Sequence, residues 1–108
     1  MPLAGATAPV TLAAAVVQHT AECLSGLVIH QLANPGAPVI WGGSPSIFDM
    51  KNGTTPMGAP GTWLIDAAYV QIGKYLKLPT HVYMGMSDAK INDAQSGLES
   101  MGGALVAA

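Results

Sequence analysis

The sequence predicts an α/β fold with parallel strands: a partial (β/α)8 TIM barrel of about two and a half βα units. Three observations carry this prediction. Helical periodicity alternates with short continuous apolar runs, and each of the first two helical patterns stops at a Pro or Gly signal. The two apolar runs start 42 residues apart, at Pro38 and Thr80, the length of one βα unit with an enlarged loop. Only 9% of the 108 residues are charged and 50% are hydrophobic. That balance suits elements covered on most faces better than a free domain with a wet surface. A complete barrel needs ~250 residues, so residues 1–108 read as a fragment of a single barrel domain. Its bare strand edges are expected to make the isolated piece aggregation-prone.

The elements follow in order. Residues 1–7 resemble the end of a strand and its loop. Residues 10–33 form a long helical pattern in which Leu12, Ala15, Val16, Leu24, Leu27 and Val28 roughly keep the i, i+3, i+4 spacing. Thr7 or Thr11 is placed to cap it, and Pro9 is tolerated in a first turn. Asn34-Pro35-Gly36 ends it, since Asn and Gly accept left-handed backbone and Pro cannot continue a helix. Pro38-Val39-Ile40-Trp41-Gly42 reads as a strand covered on both faces. A loop follows from Gly43 to about Ala59, long enough to suggest a functional role. Residues 60–77 form a second helix, opened by Pro60, with Leu64, Ala67, Ala68, Ile72 and Leu76 as its apolar stripe. Lys74 and Lys77 suit the negative end of its dipole, and Leu78-Pro79 stops it. Thr80 to Met86 is a second strand. Asn92 or Asp93 caps a third helix that carries Leu98, Met101 and Leu105.

Composition excludes several classes. High hydrophobicity with low charge is the opposite of a disordered chain, and a coiled coil lacks its charged flanking positions here. The net charge is −2, the four basic residues are all Lys, and no basic cluster occurs, so no nucleic-acid partner is expected. One Cys forms no internal disulfide, which fits a reducing, cytoplasmic setting. The early apolar stretch Val10–Val17 stops at Gln18, short of a membrane span, and no membrane partner is expected.

In parallel α/β folds the site lies at the C-terminal ends of the strands. Three segments take that place: Gly5-Ala6-Thr7, Gly42-Gly43-Ser44-Pro45-Ser46 with Phe48 and Asp49, and Gly85 to Lys90. All are rich in small and polar residues, which admit close backbone approach to a ligand and equally serve as plain turns. Asp88 either orients a cation or catalytic group or caps its turn. Lys90 either meets a partner or is merely solvated. Gly42-Gly43-Ser44 matches no phosphate-binding pattern. His19, Glu22, His30 and His81 suggest a metal only weakly; they are placed on the outer or bottom surface and no metal is expected. Cys23 reads as a small buried hydrophobe. Trp63, Tyr69 and Tyr75 read as packing residues.

The chain's words are also familiar. Pro2 through Leu12, Asn34 through Ile40, Gly42-Gly43-Ser44-Pro45-Ser46 with Phe48-Asp49-Met50, Pro56 through Pro60, and Ser87-Asp88-Ala89-Lys90 with Asp93-Ala94-Gln95 and Gly97 together closely resemble the trimethylamine methyltransferase family. The resemblance covers essentially the whole chain. It implies a protein several hundred residues long, similar to a TIM barrel. It also implies transfer of a methyl group from a tertiary or quaternary amine to Co(I) of a corrinoid (cobalamin) carried by a cognate corrinoid protein. Trimethylamine users in that family contain pyrrolysine; relatives without it act on glycine betaine and similar amines. On this reading Asp88 is the catalytic candidate. Phe48, Gly43, Ser44 and Ser87 bind or enclose the small N-methyl amine, and Asp49 and Lys90 face the corrinoid carrier. The complete protein is expected to be a homo-oligomer. A non-catalytic α/β binding module is the competing class.

Overall fold

The computed structural model describes residues 1–108. Its elements are β1 (Leu3–Ala4), α1 (Leu12–Ala33), β2 (Trp41–Gly42), β3 (Ser46–Ile47), α2 (Pro60–Tyr75), β4 (Thr80–His81) and α3 (Ala94–Ala107). Both strand pairs are parallel: Leu3 and Ala4 lie against Ser46 and Ile47, and Trp41 and Gly42 lie against Thr80 and His81. The segment 41–47 is thus shared between the strand before it and the strand after it. The α/β class and the parallel sense of the strands agree with the sequence reading.

The strands are shorter than predicted, and the backbone says why. Gly43 sits at φ +151° and Pro45 has no N–H to donate, so the ladder breaks between Gly42 and Ser46. What reads as loop from Gly43 therefore includes β3. Beyond His81, β4 loses its partner where Gly43 bends away, and residues 82–86 leave the ladder.

The helices match the predicted spans within two residues. Thr11 holds the N-cap position of α1 without a side-chain bond; the Thr7 hydroxyl instead accepts the Leu3 N–H at 2.9 Å and closes the turn after β1. Gln31 staples the other end: its amide donates to the Ala37 carbonyl and its oxygen accepts the Gly36 N–H. At the end of α2, Lys77 takes left-handed backbone (φ 57°). The Leu78 N–H reaches the Gly73 carbonyl and the Lys77 N–H the Lys74 carbonyl, the paired bonds of a Schellman stop. Asp93, one of the two predicted caps, accepts the Ser96 N–H at 3.0 Å and starts α3.

The predicted apolar stripes need correction. On α2 the buried face is Thr62, Ile65, Asp66, Tyr69 and Gly73, while Leu64 is exposed. On α1 it is Ala15 and His19, with Leu24 and Val28 exposed. The small residues of α2 lie against the strands, Thr62 bonded to Ser46 and Gly73 where a Cβ would meet Trp41 and Thr80, and larger apolar residues are left outside. Ala4, Ala15 and Ile65 form the small core, packed by Ala8, Leu12, Val16 and Ile47. Only 14 residues are buried, and the radius of gyration is 14.9 Å against about 13 Å for a self-contained domain of this length. Both values describe an open, elongated shape, 47 × 27 × 20 Å in extent. By length and composition α1 is also long and apolar enough to cross a membrane, because the apolar run resumes after Gln18. Its Ala15 and His19 face nevertheless packs inside the protein.

Candidate functional site

The predicted site residues follow the C-terminal ends of β2, β3 and β4. Asp49, Asp88 and Lys90 line one open cavity of about 430 Å³, together with Asn52, Thr54, Gln95 and Glu99. Ser87 joins it through Glu99; Ser44 lies outside the lining, its hydroxyl 3.8 Å from the Met57 sulfur. Phe48 and Gly43 lie outside this lining. The Phe48 N–H donates to the Ala4 carbonyl at 3.1 Å, prolonging the β1–β3 ladder. Gly43 packs on the ring of His19; a Cβ there would fall 2.4 Å from Cε1.

The Asp88 carboxylate bridges two loops. Oδ1 accepts the Met57 N–H at 3.1 Å and Oδ2 the Gly58 N–H at 2.7 Å. Asp49 turns its carboxylate toward its own loop, accepting the Lys51 and Asn52 N–H groups and the Asn52 side-chain amide at 2.6 Å. The bond from the Asn52 side chain, with those backbone bonds, holds the Asp49 carboxyl below the usual carboxylate range. Lys90 is exposed and unpaired; the single ion pair of the molecule joins the N-terminal ammonium to Glu22 at 3.5 Å. Three acidic residues and one Lys therefore line the cavity.

Sequence reasoning missed Glu99. Its Oε2 accepts the Ser87 hydroxyl at 2.7 Å and the Asp88 N–H at 2.8 Å, and its Oε1 accepts the Gln95 amide at 2.9 Å. The Ser87 bond, then those from Gln95 and Asp88, hold its carboxyl below the ordinary value. The i, i+4 pairing of Gln95 with Glu99 was the one local signal available.

His19 also departs from its expected outer position. It is 4% exposed, edge-on to the Tyr69 ring at 4.8 Å, and its Nε2 lies 3.5 Å from the Cys23 sulfur. Burial lowers the His19 pKa and raises that of the Cys23 thiol. The pair is thus neutral imidazole and thiol, not an activated nucleophile. Tyr69 is more than packing: its hydroxyl donates to the His81 carbonyl, and its own carbonyl accepts the Trp41 indole N–H at 3.2 Å. Tyr75, by contrast, is exposed. Asp66 is fully buried with both carboxylate oxygens unpartnered, and burial raises its pKa to about 7. No group of His, Cys, Asp and Glu is arranged to hold a metal ion.

Comparison with known proteins places this geometry in context. The family model for trimethylamine methyltransferase matches residues 1–108. The chain is 46% identical over 99 residues to the trimethylamine methyltransferase MttB of Methanosarcina barkeri, covering 92% of this chain and 20% of that protein. It is 43% identical over the same length to the protein of that name from Desulfitobacterium hafniense. It is 37% identical to a glycine betaine methyltransferase of Desulfitobacterium hafniense. The chain thus spans about a fifth of the length of the relatives it matches. A family match along its entire length shows that the chain belongs to the trimethylamine methyltransferase family.

Proposed function

We propose that this chain is the rim-bearing part of a (β/α)8 barrel domain in a trimethylamine:corrinoid protein methyltransferase. The observation that carries this reading is the meeting of Asp49, Asp88, Glu99 and Lys90 around one cavity beyond the strand ends, in a chain matched throughout by the family.

Three carboxylates against one ammonium give the cavity a negative potential, which concentrates a small methylated cation. Asp88 lies nearest the substrate in this reading. Ser87 braces the wall through Glu99, while Ser44, Gly43 and Phe48 lie outside the lining and are assigned no contact with the cation. Asp49 and Lys90 meet the corrinoid carrier. The corrinoid, held by that separate protein, supplies the nucleophilic cobalt. The residues present here suit contact with a protein surface rather than a cobalt ligand set. Exposed Val17, Val28, Leu32, Leu98 and Leu105 supply apolar surface for the remaining barrel elements and for a second copy of the protein.

Glycine betaine is the second reading, favoured by the 37% identical relative. Its carboxylate is repelled by the acid lining, so trimethylamine is preferred. The test is visible spectroscopy of Co(I) corrinoid protein mixed with the full-length enzyme. Methyl-Co(III) formation with trimethylamine is the expected result. Turnover with betaine alone moves the assignment to the second reading. Amine binding without any turnover leaves a binding module and overturns the enzyme.

A further inference from the structure

We infer that Glu99 is a positioning residue: with Gly58 and Asp88 it forms a latch that fixes the closing end of the long loop of residues 43–59, at Met57 and Gly58, over the strand ends. This rests on the function proposed above, because that loop carries Gly43, Ser44, Phe48 and Asp49.

The argument starts from hydrogen-bond supply. The first half of the loop is tied through β3, where the Ser46 N–H donates to the Pro2 carbonyl and the Phe48 N–H to the Ala4 carbonyl; the Asp49 turn closes its tip, and the Thr62 hydroxyl donates to the Pro56 carbonyl at 2.9 Å. At Met57 and Gly58 the tie is Asp88, which takes these two successive amides on its two oxygens. An aspartate does this only if its backbone is held in place. Glu99 holds it from α3, accepting the Asp88 N–H and the neighbouring Ser87 hydroxyl on one oxygen. Ser87 in turn accepts the Ala89 N–H at 3.1 Å. Segments 57–58, 87–89 and 95–99 therefore converge on two carboxylates.

Gly58 completes the latch by its lack of a side chain. It is buried, and a Cβ there would lie 2.6 Å from Glu99 Oε2 and 2.7 Å from Cδ. Only glycine lets the loop amide reach Asp88 while the Glu99 carboxylate passes beside its Cα. Two anions held this close repel each other, and the four donors Met57 N–H, Gly58 N–H, Asp88 N–H and Ser87 O–H offset that repulsion. No cation takes part, so the device depends on geometry rather than on an ion pair.

Two variants of the full-length protein test this. Glu99→Gln weakens the acceptor from the α3 side, and Gly58→Ala displaces the same carboxylate from the loop side. The first readout is amide hydrogen exchange at residues 57, 58 and 88, which needs no activity. Each variant is expected to speed exchange at these amides while exchange in α1 and α2 stays unchanged. The second readout is methyl transfer, expected to lose about tenfold in kcat/KM. The double variant is expected to lose little more than either single one. Unchanged exchange at 57 and 58 in Glu99→Gln overturns the latch, even with activity lost. Fully additive losses in the double variant also overturn it. Lack of methyl transfer by the unmodified enzyme defeats the proposed function but leaves the exchange result to stand on its own.

Discussion

The strand-end cluster and the buried face of α2 both contain carboxylates, and they treat charge in opposite ways. At the strand ends, Asp49 and Glu99 are each surrounded by donors, and both are held below the ordinary carboxylate range. On α2, Asp66 is fully enclosed with no donor at either oxygen, and its pKa rises to about 7. Depth and donor supply act together here: burial raises the pKa of Asp66, while donors at accessible sites lower those of Asp49 and Glu99. The contrast also separates roles. The donor-rich region holds loops in place around an open cavity, whereas the donor-poor region lies within the wall where α2 meets α1 and the strands.

The comparison can be broken most sharply on the buried side. Tyr69→Ala in the full-length protein removes a buried ring together with its bond to the His81 carbonyl. The expected cost is about 3–5 kcal/mol in urea unfolding; a loss below about 1 kcal/mol refutes the packed wall.

Asp66 gives the next largest effect, with a defined sign. The folded state keeps its proton up to about pH 7, whereas the unfolded carboxyl releases it near the ordinary value of 3.8. Between those values the folded state binds more protons, so stability falls as pH rises, by up to about 1.4 kcal/mol per pH unit. Asp66→Asn is expected to flatten that slope in unfolding curves taken from pH 4 to 7, and an unchanged slope refutes the assignment. Asp49 and Glu99 act in the other direction: their contribution is present above the unfolded value and is lost as pH falls through their lowered folded values.

On the donor-rich side, Asp88→Ala frees the Met57 and Gly58 amides. It is expected to cost about 1–2 kcal/mol, since the site is half-exposed and its amides can turn to water. Thermal unfolding measures the change, and a stabilised variant refutes the bridging role. The smallest effect lies outside both regions. Lys77 ends α2 in left-handed backbone, so Lys77→Gly is expected to stabilise the protein by up to about 1 kcal/mol in the same melt.

Much of the fold was legible because it is local. Pro60, Asn34-Pro35-Gly36 and Asp93 mark helix ends through backbone chemistry that neighbouring residues do not alter. The helix faces were less legible, because Leu64 and Leu76 outscore Thr62 and Gly73 in hydrophobicity while packing of α2 on Trp41, Ser46 and Thr80 selects the smaller side chains. The cavity residues Asp49, Asp88 and Lys90 followed from strand-end position alone. Phe48 and Gly43 follow the same strand ends, but each is taken up by a neighbour, the β1 ladder and His19.

The amino-acid sequence by itself determined the order of the helices, the parallel sense of the strands, the family resemblance and the strand ends where polar residues gather. Periodicity, helix stops and chain connectivity encode those properties within short windows. Only the tertiary structure decided that Glu99 reaches Asp88 across 11 residues, that Asp88 reaches Met57 across 31, that His19 lies beneath Gly43, and that Asp66 is left without a donor. Those outcomes depend on which distant atoms meet and which are sealed from water, and no local pattern specifies either.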